Sequence, residues 1–196
     1  MDAASLASLV AKIDGGAGGR GLPPVETWNP PHCGTIPMRI QSDGTWFYEG
    51  TPIGRAPLVR LFSTVLRREP DGEYVLVTPV EKVGIEVEDA PFVAIAMEAT
   101  GEGDERAIDL RTNVGDRVPV GQDHPLRFET GGGDGELKPY VHVRGRLEAL
   151  VGRAIMYDLV ELGEQIDQDG TPTFAVRSRG TVFPIMPMAR LEELSE

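Results

Sequence analysis

Between Ala56 and Glu69 the apolar residues Leu58, Leu61, Phe62, Val65 and Leu66 recur every three to four positions, which places them on one face of a helix. Pro57 suits the first turn of that helix. Pro70 sets its end, because the residue before a proline avoids the α region. Elsewhere the period is two. Val83, Ile85 and Val87 alternate inward along a strand, with Glu86 and Glu88 outward. Ser42-Asp43-Gly44, between RIQ and TWFYEG, predicts a hairpin, and so does Asp71-Gly72 ahead of EYVLV. The middle of the chain reads as short strands, PFVAIAMEAT, RAIDLRT, RVPV and LRFE, with GEGDE, NVGD and GGGDGE as loops. KPYVHVRG predicts a further strand. RLEALVGRAIMYDLVELGE predicts a helix with Leu147, Leu150, Val151, Ala154, Ile155 and Leu162 as its apolar stripe. Asp167 to Gly170 then turns the chain into TFAVRS and TVFPI.

The pattern is written twice. Each copy has a strand ending in glycine (Gly50, Gly145), a helix, an Asp-Gly turn (Gly72, Gly170) and a closing hairpin. The offset is 95 residues at the glycines and 98 at the turns. The expected fold class is α+β with two structurally related halves, the second carrying extra antiparallel strands, and with a break near Ala90-Pro91. A repeated unit buries an apolar face poorly alone, and two copies can share a core with a cleft at their junction. Residues 1–21 form an N-terminal segment: MDAASLASLVAKID reads as a short amphipathic helix and GGAGGRG as a flexible linker. The domains are then 22–91 and 92–196. PPVETWNPPHCGTIP is expected to be irregular, with regular structure starting near Met38.

Composition excludes some partners. The formal net charge is −12, with 31 acidic against 19 basic residues. Nucleic-acid binding needs a basic surface, as does docking on anionic lipid, so neither is expected. No apolar run reaches the length of a membrane span. The N-terminus lacks the basic start and apolar core of a signal peptide, and a single cysteine, Cys33, allows no internal disulfide. These features point to the cytoplasm.

The chemistry-bearing residues match no familiar catalytic pattern. His32-Cys33 is the only adjacent pair of soft metal ligands, and His124 and His142 are expected on distant elements, so no metal site is expected. DQDG reads as a turn rather than a calcium loop. Glu86, Glu88 and Asp89 form a small carboxylate cluster, in which Asp89 also suits a turn cap. At 100° per residue Asp158 falls within the stripe of the second helix, and a buried carboxylate must be paired or protonated. Arg144, Arg153 and Arg177 could serve as its partner, or could hold an anion.

WFYEGTPIGR, LVRLFSTVLRRE and EYVLVTPVEKVGIEVEDAPFV, followed by PYVHVRGRLEAL and FAVRSRGTVFPI, resemble the bacterial domain-of-unknown-function family 1285 over roughly residues 25–186. The resemblance implies a duplicated α+β core whose C-terminal half is loosely similar to pleckstrin-homology folds. It also implies a nucleotide-like ligand bound between the halves and a role in signal transduction. It supplies no catalytic residues and no cofactor.

The expected function is therefore a non-catalytic regulatory protein that binds an anionic small molecule, a nucleotide among the candidates, at the interface of the two domains. Lys82, Arg144, Arg153 and Arg177 would contact the anion, with Asp89 and Asp158 nearby. Tyr48 or Tyr157 would stack, and Thr78 and Ser178, at corresponding places in the two hairpins, would donate hydrogen bonds. One alternative is an enzyme with Glu81, Asp89 or Asp158 as acid–base groups. Another is a protein-interaction module.

Overall fold

Alternating strands and two nine-residue helices build both parts of the chain, which a computed structural model describes at residues 10, 11, 13, 21–131 and 136–193. The chain divides between Pro91 and Phe92, with the short piece Gly145–Leu147 counted in the first unit. Of the N-terminal segment, Val10, Ala11 and Ile13 are helical; the Gly-rich stretch 15–20 lies outside the described residues.

The first unit contains β1 (His32–Ile40), β2 (Trp46–Tyr48), β3 (Thr51–Pro52), α1 (Ala56–Thr64), β4 (Leu66–Arg68), β5 (Tyr74–Val77) and β6 (Lys82–Val87). Its sheet has the order β3-β2-β1-β6-β5-β4, with β1 and β6 parallel and the other pairs antiparallel. The Ser42-Asp43-Gly44 turn forms as expected. Asp43 Oδ1 accepts the Thr45 amide at 2.8 Å, Gly44 takes φ 83°, and Ile40 pairs with Trp46. Pairing then sends Met38, Ile40 and Trp46 inward, where Trp46 stacks on Phe62 of α1 with ring centroids 6.3 Å apart.

Two expectations change here. α1 stops at Thr64 rather than running to Pro70, and Leu66–Arg68 is a strand paired with β5. Val65 and Leu66 are both buried, which helix and strand spacing explain equally in so short a run. The hydroxyls of Ser63 and Thr64 fold back on the carbonyls of Arg60 and Leu61, both at 2.7 Å, at the end of the helix. The proline-rich arm is also more regular than expected, since β1 begins at His32. Pro37 leaves its mark as broken register: the pairing of β1 with β6 shifts between His32 and Thr35 and again between Thr35 and Arg39.

The second unit contains β7 (Phe92–Thr100), β8 (Ala107–Thr112), β9 (Arg117–Pro119), β10 (Leu126–Gly131), β11 (Glu136–Arg144), β12 (Leu147–Val151), α2 (Arg153–Glu161), β13 (Glu164–Gln168), β14 (Thr171–Ser178), β15 (Thr181–Pro187) and α3 (Met188–Glu193). One sheet has the order β10-β11-β12-β7-β8-β9, with β12 and β7 parallel, and the other is β13-β14-β15. Asp169 and Gly170 form the two-residue turn between β13 and β14, with φ 52° and 82°, the left-handed pair that a type I′ hairpin needs.

The long helix expected from Arg146 is corrected. Leu147–Val151 is a strand, and the helix covers only Arg153–Glu161. Leu147, Ala149 and Val151 are buried in alternation, a period of two. Gly152 ends the strand, its amide donating to the Ala94 carbonyl at 3.0 Å. In the shorter helix Leu159 faces the core, which turns Asp158 to solvent: Asp158 is exposed, not part of a buried stripe.

The duplication is visible in the elements. Strand, Gly turn, strand, helix, strand, Asp-Gly turn, strand, strand describes β2 to β6 and again β11 to β15. The copies diverge in pairing. β6 continues the first sheet by joining β1, whereas β13–β15 form a sheet of their own and the extra strands β7–β9 join β12. Among the described residues no helix is long and apolar enough to cross a membrane.

Candidate functional site: an arginine pair on the β7–β8–β9 face

Alternation along β8 sends Ile108 and Leu110 into the core and leaves Asp109 and Arg111 on the opposite face. Register then decides their neighbours. Ala96 pairs with Arg111 and Arg111 with Arg117, while Glu98 pairs with Asp109 and Asp109 with Pro119. Two rows result. One reads Ala96–Arg111–Arg117 and the other Glu98–Asp109–Pro119. A cavity of about 320 Å³ opens over them, lined by Ala96, Glu98, Asp109, Arg111 and Arg117 together with Met97 and Leu110.

Like charges directly opposite in a sheet are unfavourable. One of the two arginines has a counter-charge: Arg117 Nη2 reaches Asp109 Oδ2 at 3.3 Å, and Arg179 Nη2 reaches the same oxygen at 2.9 Å. Burial pushes the Asp109 carboxyl up, but hydrogen bonds from Arg117 and Arg179, with their charges, outweigh it, and its pKa is lowered. The Arg117 pKa is raised, chiefly by its hydrogen bond to Asp109. The Arg111 side chain makes no hydrogen bond or ion pair among the described residues, and neither does that of Glu98, which acts on Arg117 through its charge alone.

Arg179 sits at the turn between β14 and β15, in left-handed backbone at φ 50°. Its Nη1 donates to the carbonyls of Ile108 and Val120. Beside it the Ser178 hydroxyl donates to Val120 and accepts the Ile108 amide. The turn therefore locks β8 in place and holds Asp109 from below.

Of the residues singled out from sequence, Tyr48, Thr78, Lys82 and Asp89 belong to the first unit, and Arg144, Arg153, Tyr157, Asp158, Arg177 and Ser178 to the second. Most already have partners. Thr78 is buried and its hydroxyl bonds the Glu81 carbonyl at 3.1 Å; Ser178 is buried with the partners given above. Lys82 reaches Glu69 at 3.5 Å, beside the buried Arg67. Arg144 pairs with Asp116 at 2.6 Å and lies over the Phe92 ring. Arg177 pairs with Glu164 and Asp104, both at 2.8 Å. The expected partnership of these arginines with Asp158 is thus replaced by other carboxylates. Arg153 Nε donates to the exposed Tyr157 hydroxyl at 3.3 Å, one helical turn away. Tyr48 carries a buried hydroxyl with no partner among the described residues, and so does the neighbouring Trp46 Nε1. Asp89 is half-buried in a bend, and Glu81 closes the Thr78 turn.

One separation was misjudged. His124 and His142 are not distant; their rings stack with centroids 5.9 Å apart, each Nδ1 hydrogen-bonded to a main-chain carbonyl. Among the described residues no group of three or more His, Cys, Asp or Glu gathers for a metal ion. Arg111 and Arg117 were not singled out from sequence. Alternation in RAIDLRT exposes Arg111, but only strand pairing shows that a second arginine lies opposite.

These observations define an α+β protein of two related halves whose C-terminal half is pleckstrin-homology-like. The chain belongs to the DUF1285 family: residues 23–90 match the N-terminal domain of that domain of unknown function, and residues 91–185 match the C-terminal domain. Among solved structures it is similar to a DUF1285 family protein from Silicibacter pomeroyi DSS-3, at 48% identity and a TM-score of 0.84, over 94% of this chain and 97% of that one. It is also similar to a DUF1285 family protein from Shewanella baltica OS155, at 28% identity and a TM-score of 0.50, over 64% of this chain and 91% of that one. No curated protein matches the chain.

Proposed function

We propose that this protein is a non-catalytic, cytoplasmic regulatory protein that binds an anionic small molecule, of which a nucleotide-like phosphate is one class, and signals its presence. The observation that carries the reading is Arg111 without a counter-charge, directly opposite Arg117 across two strands, at the floor of a cavity of about 320 Å³. An anion bridging the two guanidiniums would relieve the like-charge contact. Arginine's planar fork presents paired donors to phosphate or carboxylate alike. Of the two carboxylates that line the cavity, Glu98 and Asp109, the second is already held by two arginines.

Thermal unfolding against a panel of nucleotides, sugar phosphates and carboxylates tests the reading. A ligand at a hundred times its Kd adds about 2.7 kcal/mol. For a chain of this size that raises Tm by roughly 5–10 °C, at about 2–4 °C per kcal/mol. The rise should disappear in Arg111→Ala, whose side chain is exposed and whose loss leaves the fold intact. A flat panel, or a rise that Arg111→Ala preserves, would overturn the assignment.

A further inference from the structure

We infer that the ligand of this face is dipolar: it carries a cationic group as well as an anionic one, as an amino acid or another zwitterion does. The inference rests on the reading of Arg111 and Arg117 as an anion site, and adds what the second row of the cavity contributes. That row holds Glu98, whose carboxylate has no hydrogen bond or ion pair among the described residues. Its cross-strand neighbour is another carboxylate, Asp109, already engaged by Arg117 and Arg179. Glu98 thus meets Arg117 only through its charge and stands beside a second carboxylate, just as Arg111 stands beside Arg117. The cavity presents one side chain of each charge without a hydrogen-bonded or ion-paired partner among the described residues.

In the structure Glu98 and Arg111 do not pair with each other. Glu98 and Arg111 lie diagonally across β7 and β8, since Ala96 faces Arg111 and Glu98 faces Asp109. Diagonal neighbours stand about 7–8 Å apart. Rows on one face are separated by two residues, about 6.5–7 Å along the strand. Ala96, opposite Arg111, has too small a side chain to fill the space, which leaves room for a ligand body between the charges. A simple anion would satisfy Arg111 and bring its charge towards Glu98. A molecule with an ammonium group one row away would satisfy both.

Pentanoate and 5-aminopentanoate, which differ only in the terminal ammonium group, separate the two ideas. Each is titrated into the full chain and followed through the Arg Nε–H resonances. 5-Aminopentanoate is expected to bind about two- to five-fold tighter, the usual worth of one partly exposed ion pair. Glu98→Gln should abolish that preference. Equal binding of both probes, each lost in Arg111→Ala, would sink the dipolar ligand and leave the anion site standing. A preference that Glu98→Gln does not alter would also overturn it. No saturable binding of either probe would remove the anion site and this inference together.

Discussion

Ser178 Oγ accepts the amide of Ile108 at 3.0 Å and donates to the carbonyl of Val120 at 2.8 Å, so one buried hydroxyl closes the hydrogen bonding of two strands seventy and fifty-eight residues away. Ser178→Ala removes the partner of the Ile108 amide and one of the two donors to the Val120 carbonyl. The expected loss is about 1–3 kcal/mol, read as a lower urea midpoint at unchanged slope. Arg179 would still hold the Val120 carbonyl, so the Ile108 amide carries most of the cost. An unchanged midpoint would contradict this.

Arg67 is a second clamp, in the first unit. Its Nη1 donates to the carbonyls of Val25 at 2.6 Å and Trp28 at 2.7 Å, and its Nε and Nη2 hold Glu69. Burial works against the Glu69 carboxylate, but Arg67, with Lys82 added, outweighs it and lowers its pKa. A carboxyl whose folded pKa lies below its unfolded value stabilises fully above the unfolded value. That contribution is lost as the pH falls through the folded one, so stability should decline as the pH drops below about 4. Glu69→Gln should cost on the order of 3 kcal/mol at pH 7, by stranding the Arg67 charge. It should also flatten the dependence on pH below about 4. An acid-unfolding curve parallel to that of the wild type would refute the linkage.

Phe62 and Asp158 should behave oppositely, although both lie on residues first read as helix. Phe62 is fully buried against Trp46, and Phe62→Ala should lose about 3–5 kcal/mol. Asp158 is exposed on α2, and Asp158→Ala should stay within about 0.5 kcal/mol of the wild type. Parallel denaturant curves check both, and a large loss at Asp158 would show that its carboxylate is engaged after all.

Gly101 adopts φ 69°, and a Cβ placed there would lie 2.5 Å from the carbonyl oxygen of Glu105. Neither the conformation nor the space admits a side chain. Gly101→Ala should destabilise by about 1–3 kcal/mol, measured as a fall in Tm. Gly54, with nothing within 4 Å of its Cβ and no positive φ, is the control and should tolerate alanine.

What the sequence determined by itself was local. The Asp43-Gly44 and Asp169-Gly170 turns, the strands flanking the first and those following the second are local features of the sequence, whereas the strand before the second turn, β13, was not legible there. Glycine's access to left-handed backbone and the alternation of side chains need no distant partner. Tertiary structure decided the rest. Leu147–Val151 had spacing enough for a helix, and became a strand because β7 offered it a parallel partner. Shortening that helix moved its phase, which carried Asp158 from the stripe to the surface. The arginines expected to hold an anion found Asp116, Glu164 and Asp104 instead. Arg111 and Arg117 stand six residues apart on two strands, and become a pair only through the β8–β9 register. Pairing between strands depends on which edges meet, and burial on which faces they cover; both are properties of the assembled chain.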